Sequence, residues 1–369
     1  MGVSTERDRV GQGLDLIDGT RARVIAAGDL PPDAAQTWDD ICASNPTLQN
    51  PFYSRAFTEA VARTHKHVFV CVIEKDGASV AFFPFQFADG IARALGAAER
   101  VGGHLNDYFG IIARLGFRID PAQLLRSTGL TQLVFTHLDD AQLAFGLKAD
   151  GRRTNGTRYD ITNGLEAFWA DVQKREKHFL ADTGRKLRRL ERDLGPLRFV
   201  QHVADPAEMD RLIEGKRAQY RATKFDDPLA APWTRALLHL LAQTKEPLCS
   251  GVLSTLHAGE TWIATHFGLR CLKTLHLWFP VYNREASKYS PGRMLLKAII
   301  DSGPAAGIAL FDDGESNETQ DEKVRLGNSR HHFYRGTWTR PGALSLLAKA
   351  DASVRWRSEW LRNKVTKRF

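Results

Sequence analysis

The sequence predicts an α/β protein with a mixed sheet, built from two similarly organised halves. Short apolar runs alternate with stretches in which apolar residues recur at helical spacing. Each half contains two apolar runs joined by a tight turn, and the turns are Lys75–Gly77 and His257–Gly259. The predicted hairpin strands are Val68–Ile73, Val80–Phe85, Ser250–Leu256 and Trp262–Leu269. Duplication of one α/β unit explains this pattern more simply than two unrelated domains.

The elements around the hairpins follow the same plan in both halves. A helical stretch precedes each hairpin, and a further strand follows it. The predicted helices are Arg55–Arg63, Leu165–Asp193, Pro206–Thr223, Trp233–Gln243 and Met294–Ile300, and the later strands are Gln132–Thr136, Leu275–Val281 and Ile308–Phe311. We therefore predict a first domain over 1–155, a second over 156–345 with a helical connection between the halves, and a basic C-terminal helix over 346–369.

Composition favours a soluble cytoplasmic protein of two domains. The 369 residues are 43% hydrophobic and 25% charged, and the net charge of +8 weakly suggests an anionic partner. Neither an apolar run of membrane-spanning length nor a secretory leader is evident. The four cysteines are far apart, as expected of buried free thiols in a reducing compartment, and no Cys/His cluster has metal-ligand spacing.

A small-residue loop between a strand and a helix is the main candidate site. The segment Tyr289, Ser290, Pro291, Gly292 and Arg293 follows the strand Leu275–Val281. Backbone N–H groups at the start of a helix can bind a phosphate, and glycine permits close approach. A purely structural turn is the alternative. The first half has no clear counterpart, and Gly102-Gly103 is the nearest candidate.

A basic amphipathic helix is predicted around Gly184–Arg192, with five cationic side chains in eight positions from Arg185. One interpretation is an ordinary solvent-exposed helix face whose positive charge is partly balanced by Glu191 and Asp193. The other is a basic wall that attracts the phosphates of coenzyme A, a nucleotide-activated substrate or an RNA acceptor stem.

Several of these segments resemble a known family. The run from about Val252 to Lys323 resembles the acetyltransferase-like family named for a cellulose-biosynthesis protein (CelD-like), a branch of the GNAT acyltransferase superfamily. It is more distantly similar to the Fem peptidyltransferases, which use two tandem GNAT-like domains. The further segments that carry the likeness are Gly184–Arg192 and Lys216–Tyr220 and, more faintly, Asn50–Ser54 and Asn106–Gly110.

The resemblance implies tandem GNAT-like domains, of which the first is degenerate, and acetyl-CoA or another acyl-CoA as co-substrate without a metal. The loop from Tyr289 to Arg293 would then hold the pyrophosphate. It departs from the superfamily's usual Arg-x-x-Gly-x-Gly pattern because it has a single glycine. That departure keeps aminoacyl-tRNA, the donor of Fem-type relatives, as an alternative carrier.

Acyl transfer needs a group that removes a proton from the acceptor. We predict His266 and Asp312 as the catalytic residues, and His276, Asp313 and Glu315 are the other candidates. A histidine titrates near pH 6.5, which suits proton transfer at neutral pH. Asp312 follows a predicted strand, where carboxylates commonly line α/β sites. A structurally bonded histidine and a turn-capping aspartate are the alternatives.

Six further residues are predicted to bind the acceptor. Lys216 and Tyr220 are one helical turn apart and share a face, which could also be plain solvated surface. By resemblance, Asp107 and Tyr108 would reach a cleft between the domains. Lys323 is not one of the six, although it lies where Fem-like relatives often carry a lysine. Trp278 and Tyr282 complete the set; they lie in and directly after the predicted strand that precedes the loop.

The predicted function is an N- or O-acyltransferase that acts on a sugar, amino sugar or other small molecule, with polysaccharide biosynthesis as one setting. Nucleic acid is expected only as tRNA, in the alternative of a Fem-like peptidyl transferase. A non-catalytic assembly factor with the same fold is the third hypothesis.

Overall fold

The computed structural model describes most of the chain as two compact units. The described residues are 14–15, 19–149, 151, 153–316 and 325–342. The second unit is Thr154–His331, and the first comprises the described residues on either side of it. The predicted C-terminal helix and Lys323 lie outside the described residues.

The first unit has a mixed sheet with four helices. Its strands are β1 (Leu14–Asp15), β2 (Thr20–Ala26), β3 (Val68–Lys75), β4 (Ala78–Gln86), β5 (Ala97–Glu99), β6 (Ile112–Ala113), β7 (Gln132–Asp139) and, late in the chain, β15 (Ser329–Thr339). The helices are α1 (Pro32–Ser44), α2 (Arg55–Thr64), α3 (Gly90–Leu95) and α4 (Pro121–Thr128). The strand order is β1-β2-β3-β4-β5-β7-β15, with β6 paired to β4.

Aromatic side chains fill the core of the first unit. The Phe109 ring stacks on Phe135 with centroids 5.5 Å apart, and Phe83 meets Phe109 edge-on at 5.6 Å. The Trp338 ring of β15 lies 4.6 Å from Phe135. Such contacts stabilise a core beyond the area they bury.

The described residues of the second unit repeat the mixed sheet, with six helices. Its strands are β8 (Arg153–Asp160), β9 (Leu197–Gln201), β10 (Lys245–Glu246), β11 (Cys249–Ala258), β12 (Thr261–Cys271), β13 (Thr274–Tyr282) and β14 (Leu310–Ser316). The helices are α5 (Leu165–Arg175), α6 (Lys177–Leu194), α7 (Pro206–Thr223), α8 (Pro232–Gln243), α9 (Pro291–Asp301) and α10 (Gly303–Ala306). The strand order is β10-β11-β12-β13-β14-β8, with β9 also paired to β11.

The two units share one order of elements. In the first unit the order is β2, α1, α2, the β3–β4 hairpin, β5, α4 and β7. In the second it is β9, α7, α8, the β11–β12 hairpin, β13, α9 and β14. In each unit the last two strands of this order, β5 and β7 or β13 and β14, pair in parallel. A further strand pairs antiparallel with the second of them, β15 with β7 and β8 with β14. The predicted α/β class with a mixed sheet is confirmed.

The end of the first unit differs from the predicted domain boundary. Residues Phe333–Thr339 of β15 pair with β7, so the chain from His332 belongs to the first unit rather than to a second domain over 156–345. Sequence periodicity shows that a strand exists but not which partner it hydrogen-bonds.

All four cysteines are free and buried. Burial raises the pKa of the Cys71 and Cys271 thiols to about 12. Within the part of the chain that the structure describes, no helix is both long enough and apolar enough to cross a membrane.

Candidate functional site

Two parallel strands separate in the second unit and open the candidate site. Strand β13 pairs with β14 over three residues, from Thr274 opposite Leu310 to His276 opposite Asp312. Among the described residues the pairing ends there, although both strands continue. The register between β12 and β13 also shifts, since Phe267 lies opposite Phe279 but Gly268 lies opposite Leu277. β13 therefore carries one extra residue at this point, and such a bulge bends the strand that contains it.

A cavity of about 430 Å³ lies in the second unit and is lined by residues on both sides of this gap. His266, Leu277 and Pro280 line it from β12 and β13, and Asp313 lines it from β14. The loop 290–293 contributes Ser290, Pro291, Gly292 and Arg293, and α7 contributes Lys216 and Gln219. The cavity therefore collects apolar walls, a few polar groups and a helix N-terminus, as small-molecule sites commonly do.

The loop presents the start of α9 to the cavity. Ser290 adopts the left-handed conformation with φ 57° and ψ 60°, and its carbonyl accepts from the N–H groups of Arg293 and Met294. Open space surrounds the position that a Cβ on Gly292 would take, with no atom within 4 Å. A helix N-terminus carries partial positive charge, so an anion is stabilised at this opening.

Helix α6 fixes the loop in place. The Lys186 ammonium donates to Ser290 Oγ at 2.9 Å. Arg293 Nη1 donates to Asp182 Oδ2 at 2.9 Å, and its guanidinium lies 4.3 Å from the centre of the Phe179 ring. The hydrogen bond from Lys186 is the main reason that the pKa of Asp182 is lowered. Part of the basic helix is thus an anchor for α9 and not only solvated surface.

Tyr289 differs from the other four predicted cofactor residues. It is 2% exposed, and its hydroxyl donates to Asp193 Oδ2 at 2.8 Å, which lowers the pKa of that carboxyl. The side chain packs in the core of the second unit and does not line the cavity. Its role in the structure is to join the loop to α6.

The two predicted catalytic residues lie in different surroundings. His266 is 2% exposed and lines the cavity. Asp312 is 1% exposed and accepts from Arg158 Nε at 2.9 Å and from the Gly314 N–H at 2.8 Å. The His276 Nδ1 atom lies 3.8 Å from Asp312 Oδ1. Asp312 therefore belongs to a buried network that joins β14 to β8 and β13.

Asp313, the residue after Asp312, lines the cavity, whereas the catalytic role of the buried Asp312 stays a prediction. Successive residues of a strand point to opposite faces, so the carboxylate after Asp312 faces the cavity. Burial, followed by the charges of Asp313 and Asp312, raises the pKa of Tyr159 well above its usual value. The carboxylates of Asp312 and Asp313 therefore lie close enough to Tyr159 to disfavour its ionised form.

Three of the predicted acceptor residues lie in or beside the cavity. Lys216 and Tyr282 line it, and the Lys216 ammonium lies 5.5 Å from the centre of the Tyr220 ring. The same ammonium donates to Gln219 Oε1 at 3.2 Å. Gln219 was missed, although it lies three residues after Lys216 and hence on the same helix face.

Trp278 is not among the residues that line the cavity, and its role in binding the acceptor stays a prediction. Its ring centre lies 6.0 Å from that of Phe267, which faces the opposite side of β12 from His266. The extra residue in β13 explains the difference, because it places Leu277 and Pro280 on the cavity side. No pattern in the sequence marks that register shift.

Asp107 and Tyr108 are part of the first unit. Tyr108 is 2% exposed, and its ring packs against Tyr53 and Phe333 with centroids 5.6 Å and 5.0 Å away. Asp107 Oδ1 lies 3.9 Å from His137 Nε2. The structure thus gives Tyr108 a packing role, and the binding role of this pair stays a prediction.

In the described ranges, no group of three or more His, Cys, Asp and Glu side chains is placed so that it could hold a metal ion.

The second unit matches a family model. Residues 177–323 match the model described as an acetyltransferase (GNAT) domain. No curated protein matches the chain.

Solved structures share the fold at low sequence identity. FemX has a TM-score of 0.54 at 9% identity and covers 83% of this chain and 96% of its own. L-PGS from Bacillus licheniformis has a TM-score of 0.52 at 11% identity, covering 89% and 98%. The C-terminal domain of a candidate lysylphosphatidylglycerol synthetase from Agrobacterium fabrum has a TM-score of 0.51 at 15% identity, covering 87% and 96%. Residues 177–323 are therefore similar to a GNAT acetyltransferase domain, and the chain shares its fold with FemX and these synthetase structures.

Proposed function

We propose that the second unit binds an acyl-CoA in this cavity and transfers the acyl group to an amine or hydroxyl of a sugar or other small molecule. The observation that carries the proposal is the combination of an open Gly292 with a cavity that begins where β13 and β14 separate. An acyl-CoA supplies an activated thioester carbonyl when bound. Membership of a CelD-like family and a place in polysaccharide biosynthesis are part of the same proposal.

The loop offers its helix N-terminus and the hydroxyl of Ser290 to the pyrophosphate. The Arg293 guanidinium already binds Asp182, so its first effect is to hold α9 in position. Lys186, at 2.9 Å from Ser290 Oγ, places a second positive charge beside the loop. The Lys186 ammonium on α6 compensates for the loop's single glycine. It attracts the pyrophosphate, which a loop with more glycines would bind through more backbone N–H groups.

His266 is the proposed proton acceptor. Its imidazole lines the cavity together with Leu277 and Pro280, and histidine is the side chain that most often serves as a general base. In the reaction, the acceptor would lose its proton to this ring as its nitrogen or oxygen attacks the carbonyl. Asp312 would act only indirectly, by holding the end of β14.

Aminoacyl-tRNA is the second candidate donor, and the fold shared with FemX and the exposed basic face of α6 favour it. Arg185 and Arg192 on that face are 74% and 71% exposed. Calorimetric titration with acetyl-CoA, longer acyl-CoAs and charged tRNA separates the two donors. Binding of acyl-CoA with release of its thiol in the presence of an acceptor supports the first, and binding of charged tRNA alone supports the second.

Replacing Arg293 by Ala tests the loop in the same titration. The expected loss of donor affinity is larger in low salt than in high salt, because part of the effect is screened Coulomb attraction. Failure of the wild-type protein to bind any of these donors would contradict both enzymatic functions and leave the non-catalytic assembly factor.

A further inference from the structure

The cavity of the second unit is polar at the start of α9 and apolar farther along that helix. The loop 290–293 lines it at the start, and Leu295, Leu296 and Ile299 line it from the following turns. Leu295 and Ile299 are four residues apart, so they share a helix face and span about 6 Å along the axis. We call these three side chains the α9 stripe.

The walls beside the α9 stripe are also apolar. Leu277 of β13 and Leu326 line the same cavity, and they are 8% and 3% exposed. Side chains of this kind stabilise a hydrocarbon chain by removing it from water, but they offer no partner to an amide, a hydroxyl or a charge. This part of the cavity is therefore suited to the hydrocarbon part of a ligand.

The polar parts of an acyl-CoA have partners elsewhere in the cavity. The pyrophosphate would lie at the loop, and the amides of the pantetheine arm need hydrogen-bond partners once they leave water. Beyond His276 and Asp312, the described residues of β13 and β14 no longer pair with each other, so this edge of β13 turns backbone N–H and C=O groups toward the gap. The gap thus suits the amides, and the α9 stripe is left for the acyl group.

We infer that the transferred acyl group is an aliphatic chain longer than acetyl, held by the α9 stripe with Leu277 and Leu326. This inference rests on the proposed acyl transfer and specifies its donor. A chain of about four to six carbons spans the stripe at about 1.5 Å per C–C bond, whereas an acetyl group would leave most of it unfilled. In the transfer, the acceptor's nitrogen or oxygen bonds to the carbonyl carbon, the C–S bond breaks, and the proton lost by the acceptor ends on the CoA thiol.

A series of donors tests the length of the chain. Calorimetry on the wild-type protein compares CoA with acetyl-, butyryl-, hexanoyl- and octanoyl-CoA. Burial of each added methylene should tighten binding by about three- to fourfold as far as hexanoyl, so butyryl-CoA should bind about tenfold more tightly than acetyl-CoA. Thiol release with a fixed acceptor should show the same order in kcat/KM.

Two neighbouring isoleucines assign the preference to the α9 stripe. Ile299 and Ile300 are 2% and 0% exposed, and Ile299 is the one that lines the cavity. Ile299→Ala should weaken hexanoyl-CoA by about three- to tenfold and leave CoA and acetyl-CoA unchanged, because the longer chain alone loses contacts. Ile300→Ala is the matched control and should change none of these affinities. If either variant does not fold, Ile299→Val and Ile300→Val make the same comparison with a smaller expected shift.

Filling the cavity gives a second test. Leu296 is half-buried, so Leu296→Trp can place a larger side chain in the path of the acyl chain. This variant should bind hexanoyl-CoA no more tightly than acetyl-CoA, while its affinity for CoA stays near that of the wild type.

Equal affinity of the wild type for acetyl- and hexanoyl-CoA would overturn the inference. So would an equal loss for CoA and hexanoyl-CoA in Ile299→Ala, because the stripe would then hold the pantetheine arm. These results are distinct from failure of the proposed function. If no acyl-CoA binds at all, the proposed donor is wrong and the inference falls with it. If acetyl-CoA binds and reacts as well as the longer donors, only the inference fails.

Discussion

The two units use the same short parallel strand pair in opposite ways. Strand β5 pairs with β7 over three residues that end at Val134, and β13 pairs with β14 over three that end at Asp312. The next residue is Phe135 in the first unit and Asp313 in the second. Phe135 is 1% exposed under the Phe109 and Trp338 rings, whereas Asp313 lines the cavity. One backbone arrangement thus yields a packed core or a site, depending on the side chain that follows the pair.

The loops that follow these strands differ in the same sense. In the first unit the Gly102 N–H donates to Gln86 Oε1 at 2.8 Å, and a Cβ on Gly102 would lie 3.1 Å from the Phe57 ring. In the second unit the space beside Gly292 is open, and an 11-residue helix begins there. The first loop satisfies its N–H group internally, and the second leaves its helix N-terminus accessible to a ligand.

The largest expected effect is a loss of turnover when a residue that lines the cavity is replaced. His266→Ala should lower turnover by about 10²- to 10⁴-fold, the usual contribution of a positioned base, with little change in donor affinity. Steady-state kinetics and calorimetry with the same acyl-CoA measure the two quantities. Near-wild-type turnover on a genuine substrate would show that the acceptor enters deprotonated or loses its proton through water.

Phe135 and Asp313 can be compared directly by truncation. Phe135→Ala should lower the free energy of unfolding by about 3–5 kcal/mol, because it removes a ring from a packed stack. Asp313→Ala should lower it by about 1 kcal/mol or less, since the side chain lines an open cavity. Denaturant unfolding of the two variants measures the difference, and equal destabilisation would contradict the contrast between core and site.

A smaller effect tests how α6 holds the loop. The pKa of Asp182 is lowered, chiefly by the hydrogen bond from Lys186, so its contribution to stability is present above its usual pKa of about 3.9. That contribution is lost as the pH falls through the lower pKa of the folded state. Asp182→Asn should therefore melt below the wild type at pH 7 and approach it in acid. A constant difference in Tm across pH 2–7 would show that the charge is not involved.

Local sequence patterns predicted most of the elements. Alternating apolar residues around Asp76-Gly77 marked the β3–β4 hairpin, and both turn residues have positive φ, 51° and 80°. The helix Pro206–Thr223 was predicted with its observed bounds, and the spacing Lys216–Tyr220 correctly put two side chains in contact. Periodicity succeeds in such cases because the contacts lie within one element or one hairpin.

The differences between the sequence-based expectations and the structure involve long-range pairing. Asp312 and Asp313 are adjacent acidic residues, and only the register of β14 with β13 decides which one enters the cavity. The extra residue in β13 likewise puts Leu277 and Pro280, and not Trp278, among the residues that line the cavity, and the pairing of β15 with β7 returns the end of the described chain to the first unit. Such registers depend on partners far away in sequence, which a single sequence does not reveal.

Donor binding to two glycine variants tests the central claim most directly, namely that the opening at Gly292 admits the acyl donor. Gly292→Val puts a branched side chain into open space, and Gly90→Val is a matched control at the start of α3, where the space is equally open. Calorimetry with acetyl-CoA should show a loss of at least about tenfold in affinity for Gly292→Val, as expected when a charge-assisted phosphate contact is blocked, and none for Gly90→Val. The Tm of both variants should stay near that of the wild type. Unchanged affinity of Gly292→Val for every acyl-CoA and for charged tRNA would contradict the account, because the loop would then be only a structural turn.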